Sequence, residues 1–413
     1  MSKKVVITGL GTVSPLGNEI GEVWKNLMDS KSGVRKIDKF DMEEYSSKIA
    51  GMLDNFEAEP YIDRKEKKRM DMFIQYGIVA AMKAMKDSGL EIDDDLAEDV
   101  AVIVSSGIGG MKTLCEQHSR LENRGPRRVS PFFIPMMIPN ILSGYISIKT
   151  GAMGPNMSVV TACATSTHSI GEGFRMIKND NAKVAIVGGS ESPVVPLGLA
   201  GFCSMRALST RNDEPEKASR PFDKDRDGFV IAEGGAVLIL EDYEHAKKRG
   251  AKIYAELAGY GASADAYHIT APSEDGKGAA LSMKKALDDA GINPEDVQYI
   301  NAHGTSTPLN DITETRAIKS VFESHAKDLY VNSTKSMTGH MLGATGAFEA
   351  LVTALSINKS KIHKTLNHEN PDEEMDLNYV KEGPVDVDIN YALSNSFGFG
   401  GQNGTLILKK HKE

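Results

Sequence analysis

Three side chains in this sequence stand where nucleophilic chemistry is within reach: Cys163, His303 and His340. Cys163 lies in MSVVTACATSTHSIGEGFRMIK, where a β-branched run ending at Val160 meets a segment of helical periodicity that starts just after the cysteine. A thiol placed there faces the first free NH groups of a helix. Those groups and the helix dipole favour thiolate over thiol, the form that attacks a carbonyl carbon. The same cysteine among Ala and Thr also reads as a small buried apolar side chain, so its surroundings decide. Asn301-Ala302-His303-Gly304-Thr305-Ser306-Thr307 follows one predicted strand, and Lys335-Ser336-Met337-Thr338-Gly339-His340 follows another that begins near Tyr330. Each histidine leaves the C-terminal end of a strand, the edge at which open α/β sheets bind ligands, and Cys163 follows such an end too. Three groups converging on one edge make a candidate site where a single histidine would not.

The elements that must hold these groups alternate in type. Helical spacing of apolar residues predicts helices over Phe73 to Ser88, Ser166 to Asn179, Gly278 to Ala290, Ile312 to Ser324 and Ala344 to Asn358. Strands between them imply βαβ units and mostly parallel sheets. A weak internal duplication runs through the pattern. VVITGLGT from Val5 is echoed by YAELAGYGAS from Tyr254, each an apolar run ending in Gly-x-Gly. AVIVSSGIGG from Ala101 is echoed by VQYINAHGTST from Val297, and FVIAEGGAVLILE from Phe229 by FGFGGQNGTLILKK from Phe397. The last pair reads as hairpins with a tight glycine turn. Two α/β halves follow, 1–250 carrying the cysteine and 251–413 carrying both histidines, with the site between them. The excess of the first half, roughly 109–145 with PFFIPMMIPN inside it, is apolar and broken by proline, which suits a cap or an oligomer contact.

Bulk properties narrow the classes. The chain has 413 residues, 40% hydrophobic and 25% charged, enough for a large buried core without a low-complexity tract or linker. A net charge of −9 argues against general nucleic-acid binding, which needs a dominant basic face. Basic islands stand out on that background: Arg64 to Arg69, then Arg124, Arg127 and Arg128, then Arg206. Such runs are ordinarily solvated helix faces. The apolar start at Val5 to Leu10 is interrupted by glycines too early for a signal sequence or membrane span, so a cytoplasmic enzyme that does not contact membrane is expected. Three scattered cysteines make no disulfide framework or zinc site. Asp223, Asp225 and Asp227 imitate the start of an EF-hand loop, but Glu233 falls one position short of the bidentate ligand. Gly9-Leu10-Gly11 lacks the third glycine of a dinucleotide fingerprint, since Ser14 stands there. Neither a metal nor a cofactor is expected.

TACATSTHSIG, NAHGTSTPLND, STKSMTGHMLGATGAFEA and SNSFGFGGQNG resemble the signatures of the β-ketoacyl-acyl-carrier-protein synthases, type II in particular. The resemblance extends from ITGLGTVSPLGN through SGIGGM, GPRRVSPFFIPMMIPN and SRPFDKDRDGF to the final strand. It implies the thiolase-like fold, with two related halves building a five-layered α-β-α-β-α subunit that forms a homodimer. It implies a decarboxylative Claisen condensation in which Cys163 takes an acyl chain from acyl-carrier protein and malonyl-carrier protein then supplies the attacking carbanion. His303 and His340 fall on the histidines of the family triad and could hold the enolate oxygen in a water-poor pocket. The backbone NH groups of Cys163 and Phe399 would form the oxyanion hole, and Phe399 would be a gating aromatic in a mobile glycine turn.

Further positions follow from the resemblance. Lys335 and Glu349 match an active-site lysine and its acidic partner, either supporting the chemistry or forming a structural ion pair. Thr305, Thr307 and Asp311 are supporting residues. The acidic carrier protein would be steered by Lys65, Lys68, Arg69, Arg127, Arg128 and Arg206. Departures from the family pattern, Ile231-Ala232-Glu233-Gly234 and Gln402, bear on chain length and packing. A thiolase would need a second cysteine in FGFGGQNG, and a synthase III-like initiator would have Asn in place of His340. A non-condensing chain-length partner typically lacks the nucleophile, whereas a free-standing polyketide ketosynthase shares the whole triad.

Overall fold

The apolar runs become strands buried on both faces, because helices cover the sheet from two sides. The computed structural model describes residues 3 to 412; Met1, Ser2 and Glu413 lie outside the described residues. In chain order the main sheet comprises β1 (Val5–Val13), β2 (Val100–Ser105), β3 (Val184–Glu191), β4 (Gly234–Asp242), β5 (Ala255–Ala264), β6 (Tyr299–Asn301), β7 (Tyr330–Asn332), β8 (Tyr391–Gly398) and β9 (Gln402–Lys409). Five helices matter for the site: α1 (Met72–Ser88), α2 (Thr165–Lys178), α3 (Lys277–Ala290), α4 (Pro308–Phe322) and α5 (Thr345–Lys359). All five helical expectations are met to within a turn. Asp71 caps α1 by accepting from Phe73 N, and Gly89 ends it in the left-handed conformation.

The strand order is β2-β3-β4-β1-β5-β9-β8-β6-β7. Read from the centre, β1-β4-β3-β2 is repeated by β5-β9-β8-β6, with the same sense at each pairing. This palindrome is the duplication glimpsed in the sequence. The sheet is not mostly parallel, as the alternation of elements implied. Only β2–β3, β8–β6 and β6–β7 are parallel, because β4 and β9, the last strand of each half, run antiparallel to both neighbours and β1 meets β5 antiparallel. The hairpin expectation holds for β8–β9 alone. In the first half the partner of β4 is β3, and the chain between them makes a long excursion from Ser192 to Glu233.

Alternate residues along each strand enter different cores. Leu238 and Leu240 of β4 join α2 and α5 in a central cluster, while Val237 and Ile239 point the other way against α1. Leu406 and Leu408 of β9 enter the same central cluster, and Ile407 packs with α3 and α4. Helix, strand, helix pair, strand and helix thus stack as five layers, each buried Leu or Ile contributing roughly 1.5–3 kcal/mol. The Gly-x-Gly pairs lie inside β1 and β5, not at their ends. A Cβ at Gly11 would sit 2.1 Å from Ala80 O of α1, and one at Gly261 2.0 Å from Ser282 O of α3. They exist so that a helix can press onto the strand backbone.

Residues 109–145 form short helices, Met111–Arg124 and Phe133–Met137 among them, in place of one long one. The β-branched run before Cys163 is not a strand of the sheet. It lies extended along the free edge of β2, joined by a parallel bridge between Val102 and Asn156. Among the described residues no helix is long and apolar enough to cross a membrane.

Candidate active site

Cys163 occupies the middle of a single 3-10 turn, Ala162–Ala164, that leads straight into α2. Ala162 is held at φ 49, a left-handed angle that costs a residue with a side chain and that persists only where its surroundings enforce it. Gly398, the last residue of β8, presses on this turn: a Cβ there would lie 2.7 Å from Thr161 O and 3.2 Å from Cys163 N. The close approach aims the Phe399 N–H, with that of Cys163 itself, at the sulfur. Burial nevertheless pushes the Cys163 thiol up to about 11, against the pull of the Lys335 charge and the Phe399 N–H. The thiolate expected from the helix start is therefore not the resting form. Desolvation outweighs the helix terminus.

His303 lies two residues beyond β6, on a loop whose backbone is fixed by one carboxylate. Glu314 of α4 accepts from His303 N at 2.9 Å and Gly304 N at 2.8 Å. Burial raises Glu314 to about 7 against those two donors. His340 follows β7 and the helical turn Lys335–Thr338, and its Nδ1 lies 3.0 Å from Thr345 Oγ1 at the start of α5. The rings of His303 and His340 stand 5.4 Å apart and nearly perpendicular. Burial, then the Lys335 charge, holds both imidazoles well below the usual histidine range. Both are neutral at physiological pH. His303 Nδ1 and His340 Nε2 are buried with no hydrogen-bond partner among the described residues.

A cavity of 480 Å³ joins Cys163, His303 and His340, and Thr305, Thr307 and Phe399 also line it. The Thr305 and Thr307 hydroxyls are 2.9 Å apart, and Thr307 caps α4 through Asn310 N. Asp311 does not reach the cavity. It is buried beneath the loop, where it accepts from Ser306 N and Phe222 N. Lys335 and Glu349 also sit behind the cavity wall, as a buried ion pair with Nζ 2.6 Å from Oε1. Burial raises Glu349 above the usual carboxylate range against the pull of Lys335.

The turn bearing Phe399 is held from outside by a loop, with Gly400 N donating to Ile269 O at 2.7 Å and Asp265 N to Gly401 O at 2.9 Å. Gly400 and Gly401 both take positive φ, 83° and 67°, which permits the reversal from β8 into β9. Of the basic residues, Arg206 alone lines the cavity, at its mouth. Lys65, Lys68, Arg69, Arg127 and Arg128 are exposed elsewhere. The Arg69 guanidinium lies 4.7 Å over the Phe132 ring, and Arg128 shares a separate surface cleft with Arg120 and Arg124.

Sequence reading assigned no role to several groups that the fold brings here. Phe229 stacks edge-on to His340 at 5.4 Å and to Phe202 at 5.6 Å, and Phe397 meets His303 at 5.7 Å. Phe229 closes the SRPFDKDRDGF motif, so its signal was present. Glu314, eleven residues after His303 on a helix, carried none.

Palindromic sheet and cysteine turn together mark the thiolase-like class, whose members join acyl units through a cysteine. Within that class the chain belongs to the β-ketoacyl synthase family: the model for the beta-ketoacyl synthase N-terminal domain matches residues 2–246, and that for the C-terminal domain residues 254–369. A 3-oxoacyl-[acyl-carrier-protein] synthase 2 of Staphylococcus aureus strain N315 is 53% identical over 409 residues, covering 99% of both chains. The enzyme of that name from Vibrio harveyi is 50% identical over 415 residues, covering 100% of each. Among solved structures, a type II polyketide acyl-carrier protein in complex with its ketosynthase, AntDE:AntF, superposes with TM-score 0.92 at 35% identity and full coverage of both chains. A beta-ketoacyl synthase from Burkholderia phymatum STM815 superposes at 0.93 with 33% identity, over 99% of this chain and 100% of the other.

Proposed function

We propose that this chain elongates fatty acyl chains, with Cys163 as the acyl carrier and His303 and His340 as the groups that stabilise the enolate. The chain is a condensing acyltransferase that joins malonyl-acyl-carrier protein to an acyl-acyl-carrier protein with loss of carbon dioxide. The observation that carries the assignment of roles is the pair of neutral imidazoles that line the cavity holding the thiol.

In the first half-reaction the Cys163 sulfur bonds to the acyl carbon, the carbon–sulfur bond to the carrier breaks, and the thiol proton ends on the departing carrier thiol. The oxyanion formed on the way meets the N–H groups of Cys163 and Phe399. In the second, the malonyl carbon–carbon bond breaks, carbon dioxide leaves, and the enolate oxygen takes hydrogen bonds from His303 and His340. The carbanion then attacks the acyl carbon and releases the Cys163 sulfur, which regains a proton. Lys335 and Glu349 support this from behind the wall. Lys335 supplies positive charge to a dry site, and Glu349 holds it in place. Thr305 and Thr307 offer hydroxyls to the arm entering at the mouth, and Asp311 holds their loop.

In this reading the enzyme works in the cytoplasm as a homodimer of subunits built from duplicated halves, 1–250 and 251–413. Support for the dimer comes from exposed apolar side chains, Ile134, Leu197, Met153 and Val160, the last two flanking the segment that lies along the free edge of β2. Carrier protein docks through Arg206 at the mouth and through Lys65, Lys68, Arg69, Arg127 and Arg128. A polyketide-type ketosynthase is the second reading, favoured by the likeness to AntDE:AntF. The higher identity to the synthase 2 enzymes favours the first.

The test is product formation from malonyl- and medium-chain acyl-carrier protein, read by mass spectrometry for the native chain, Cys163→Ala and Cys163→Gln. Native chain should give the β-ketoacyl product two carbons longer, and both variants none. A native chain that releases carbon dioxide without condensing, or is silent, sinks the reading.

A further inference from the structure

The duplication gives the chain two copies of the cysteine cradle, and the second is filled by the protein itself. Glu191 ends β3 as Gly398 ends β8, each paired with the first residue of the next strand in the sheet, Gly234 and Gln402. The turn Leu342–Ala344 enters α5 as Ala162–Ala164 enters α2, so Gly343 is the counterpart of Cys163. Leu342 repeats the left-handed angle of Ala162, 45° against 49°.

Besides the cysteine that becomes Gly343, the two cradles differ at the position that faces the turn. Around Cys163 the position facing the turn is a glycine, and the free N–H groups look into the cavity. Around Gly343 that position is Glu191, fully buried, whose carboxylate accepts from Gly343 N at 3.0 Å, Gly107 N at 2.8 Å, Ile108 N at 3.1 Å and Ser106 Oγ at 2.5 Å. Burial raises Glu191 above the usual carboxylate range, and these donors oppose it only in part. Nothing larger than a hydrogen fits at the junction. A Cβ on Gly343 would be 2.5 Å from Gly107 N, and one on Gly107 would be 3.2 Å from Ala162 O, in the cysteine turn. Ile108 and Leu342, the residues this carboxylate holds through the backbone, line the cavity that contains Cys163.

We propose that Glu191 is a positioning residue for acyl transfer: by occupying the second cradle it fixes Ile108 and Leu342 as the wall against which a chain attached to Cys163 lies. The proposal rests on the reading of Cys163 as the acyl carrier. It predicts that Glu191 governs how well the cavity takes a chain, not whether the thiol reacts.

The probes are iodoacetamide and N-octyl-iodoacetamide, which label Cys163 with and without an acyl-like tail and need no carrier protein. Labelling rates are read by mass spectrometry on the full-length chain. In Glu191→Ala and Glu191→Gln the long reagent should slow about tenfold relative to iodoacetamide, because buried N–H donors lose their anion, while iodoacetamide itself does not slow, since the Glu191 charge opposes thiolate at Cys163. Sodium formate should restore Glu191→Ala, whose missing carboxylate it replaces, and should leave Glu191→Gln unchanged. If Glu191→Ala does not fold, the isosteric Glu191→Gln carries the comparison. Equal slowing of both reagents, no slowing of either, or no effect of formate on a folded Glu191→Ala overturns the proposal. Condensation by the native chain is assayed on the same preparation. Its failure would count against the functional reading, while the labelling ratio still decides the role of Glu191.

Discussion

Replacing Thr345 by Val removes one oxygen and tests whether the proton on His340 is placed by design. Thr345 and His340 are 1% and 2% exposed, and the hydroxyl lies 3.0 Å from Nδ1. With that hydroxyl donating to Nδ1, the neutral ring carries its proton on Nε2, the nitrogen left without a partner. Valine matches the shape of threonine but leaves Nδ1 a buried acceptor with nothing to accept. That costs about 1–3 kcal/mol and frees the other tautomer, so the enolate loses one donor. The decarboxylation step should slow by about fivefold to a hundredfold. Because Thr345 does not line the cavity, KM for malonyl-acyl-carrier protein should stay put. Rapid-quench measurement of carbon dioxide from the acylated enzyme reads the step directly. Thr345→Ser, which keeps the hydroxyl, should recover most of the rate. A Thr345→Val enzyme as fast as native, with an unchanged melting temperature, would refute the tautomer assignment.

Other perturbations probe the scaffold and the thiol. Burial opposes the charge on Glu241, yet hydrogen bonds from Arg249, His245 and Thr8 win and hold it at about 2. Since its folded value lies below the unfolded one, this stabilisation is complete above about pH 4.5 and is lost as pH falls toward 2. Glu241→Gln should cost about 3 kcal/mol at pH 7, measured by denaturant unfolding, with the difference from native shrinking below pH 4. Gly261→Ala drives a methyl into Ser282 O and should destabilise by about 1–3 kcal/mol or more, seen as a lower midpoint in urea. Alkylation of Cys163 by iodoacetamide should keep rising through pH 10 without a plateau, given a thiol pushed up to about 11. Lys335→Met should slow it further at any fixed pH, because the charge that favours thiolate is gone.

Local signals carried most of the site and little of the sheet. Cys163, His303 and His340 were legible because each follows an extended apolar run and sits in a short motif, although the run before Cys163 is no strand of the sheet, and the fold gathers all three in one cavity. The helices were legible because a 3.6-residue apolar period survives even where both faces are partly covered. Strand direction was not, since it depends on where a chain returns after tens of residues. The excursion from Ser192 to Glu233 hides the antiparallel return of β4 on β3. The glycines of β1 and β5 looked like turn signals because sequence cannot distinguish a turn from a strand pressed by a helix. The thiolate expectation failed for an electrostatic reason: helix termini are visible in sequence, but the depth of burial that outweighs them is not.

The same burial gives the site its logic. Cys163 is pushed up, both histidines are pushed down and Glu349 is pushed up, so in each case the uncharged form is favoured by burial. The Lys335 charge acts in the same direction on the histidines and against it on the thiol and the carboxylate. Cys163, His303 and His340 rest uncharged, and the buried carboxylate that shares their cavity, Glu191, is already held by Ser106, Gly107, Ile108 and Gly343. In the proposed reaction new negative charge arrives with the chemistry, first as the oxyanion on the acyl carbon and then as the enolate oxygen. Each meets N–H groups already oriented by backbone, by Thr345 or by Glu314, in a site with little water to reorganise. In the mirrored cradle an internal carboxylate has taken the corresponding donors, which leaves none of them free for an oxyanion. In the proposed reaction one duplicated scaffold yields a single reaction centre, and the copies are separated by the cysteine at 163 against the glycine at 343 and by the glycine at 398 against the glutamate at 191.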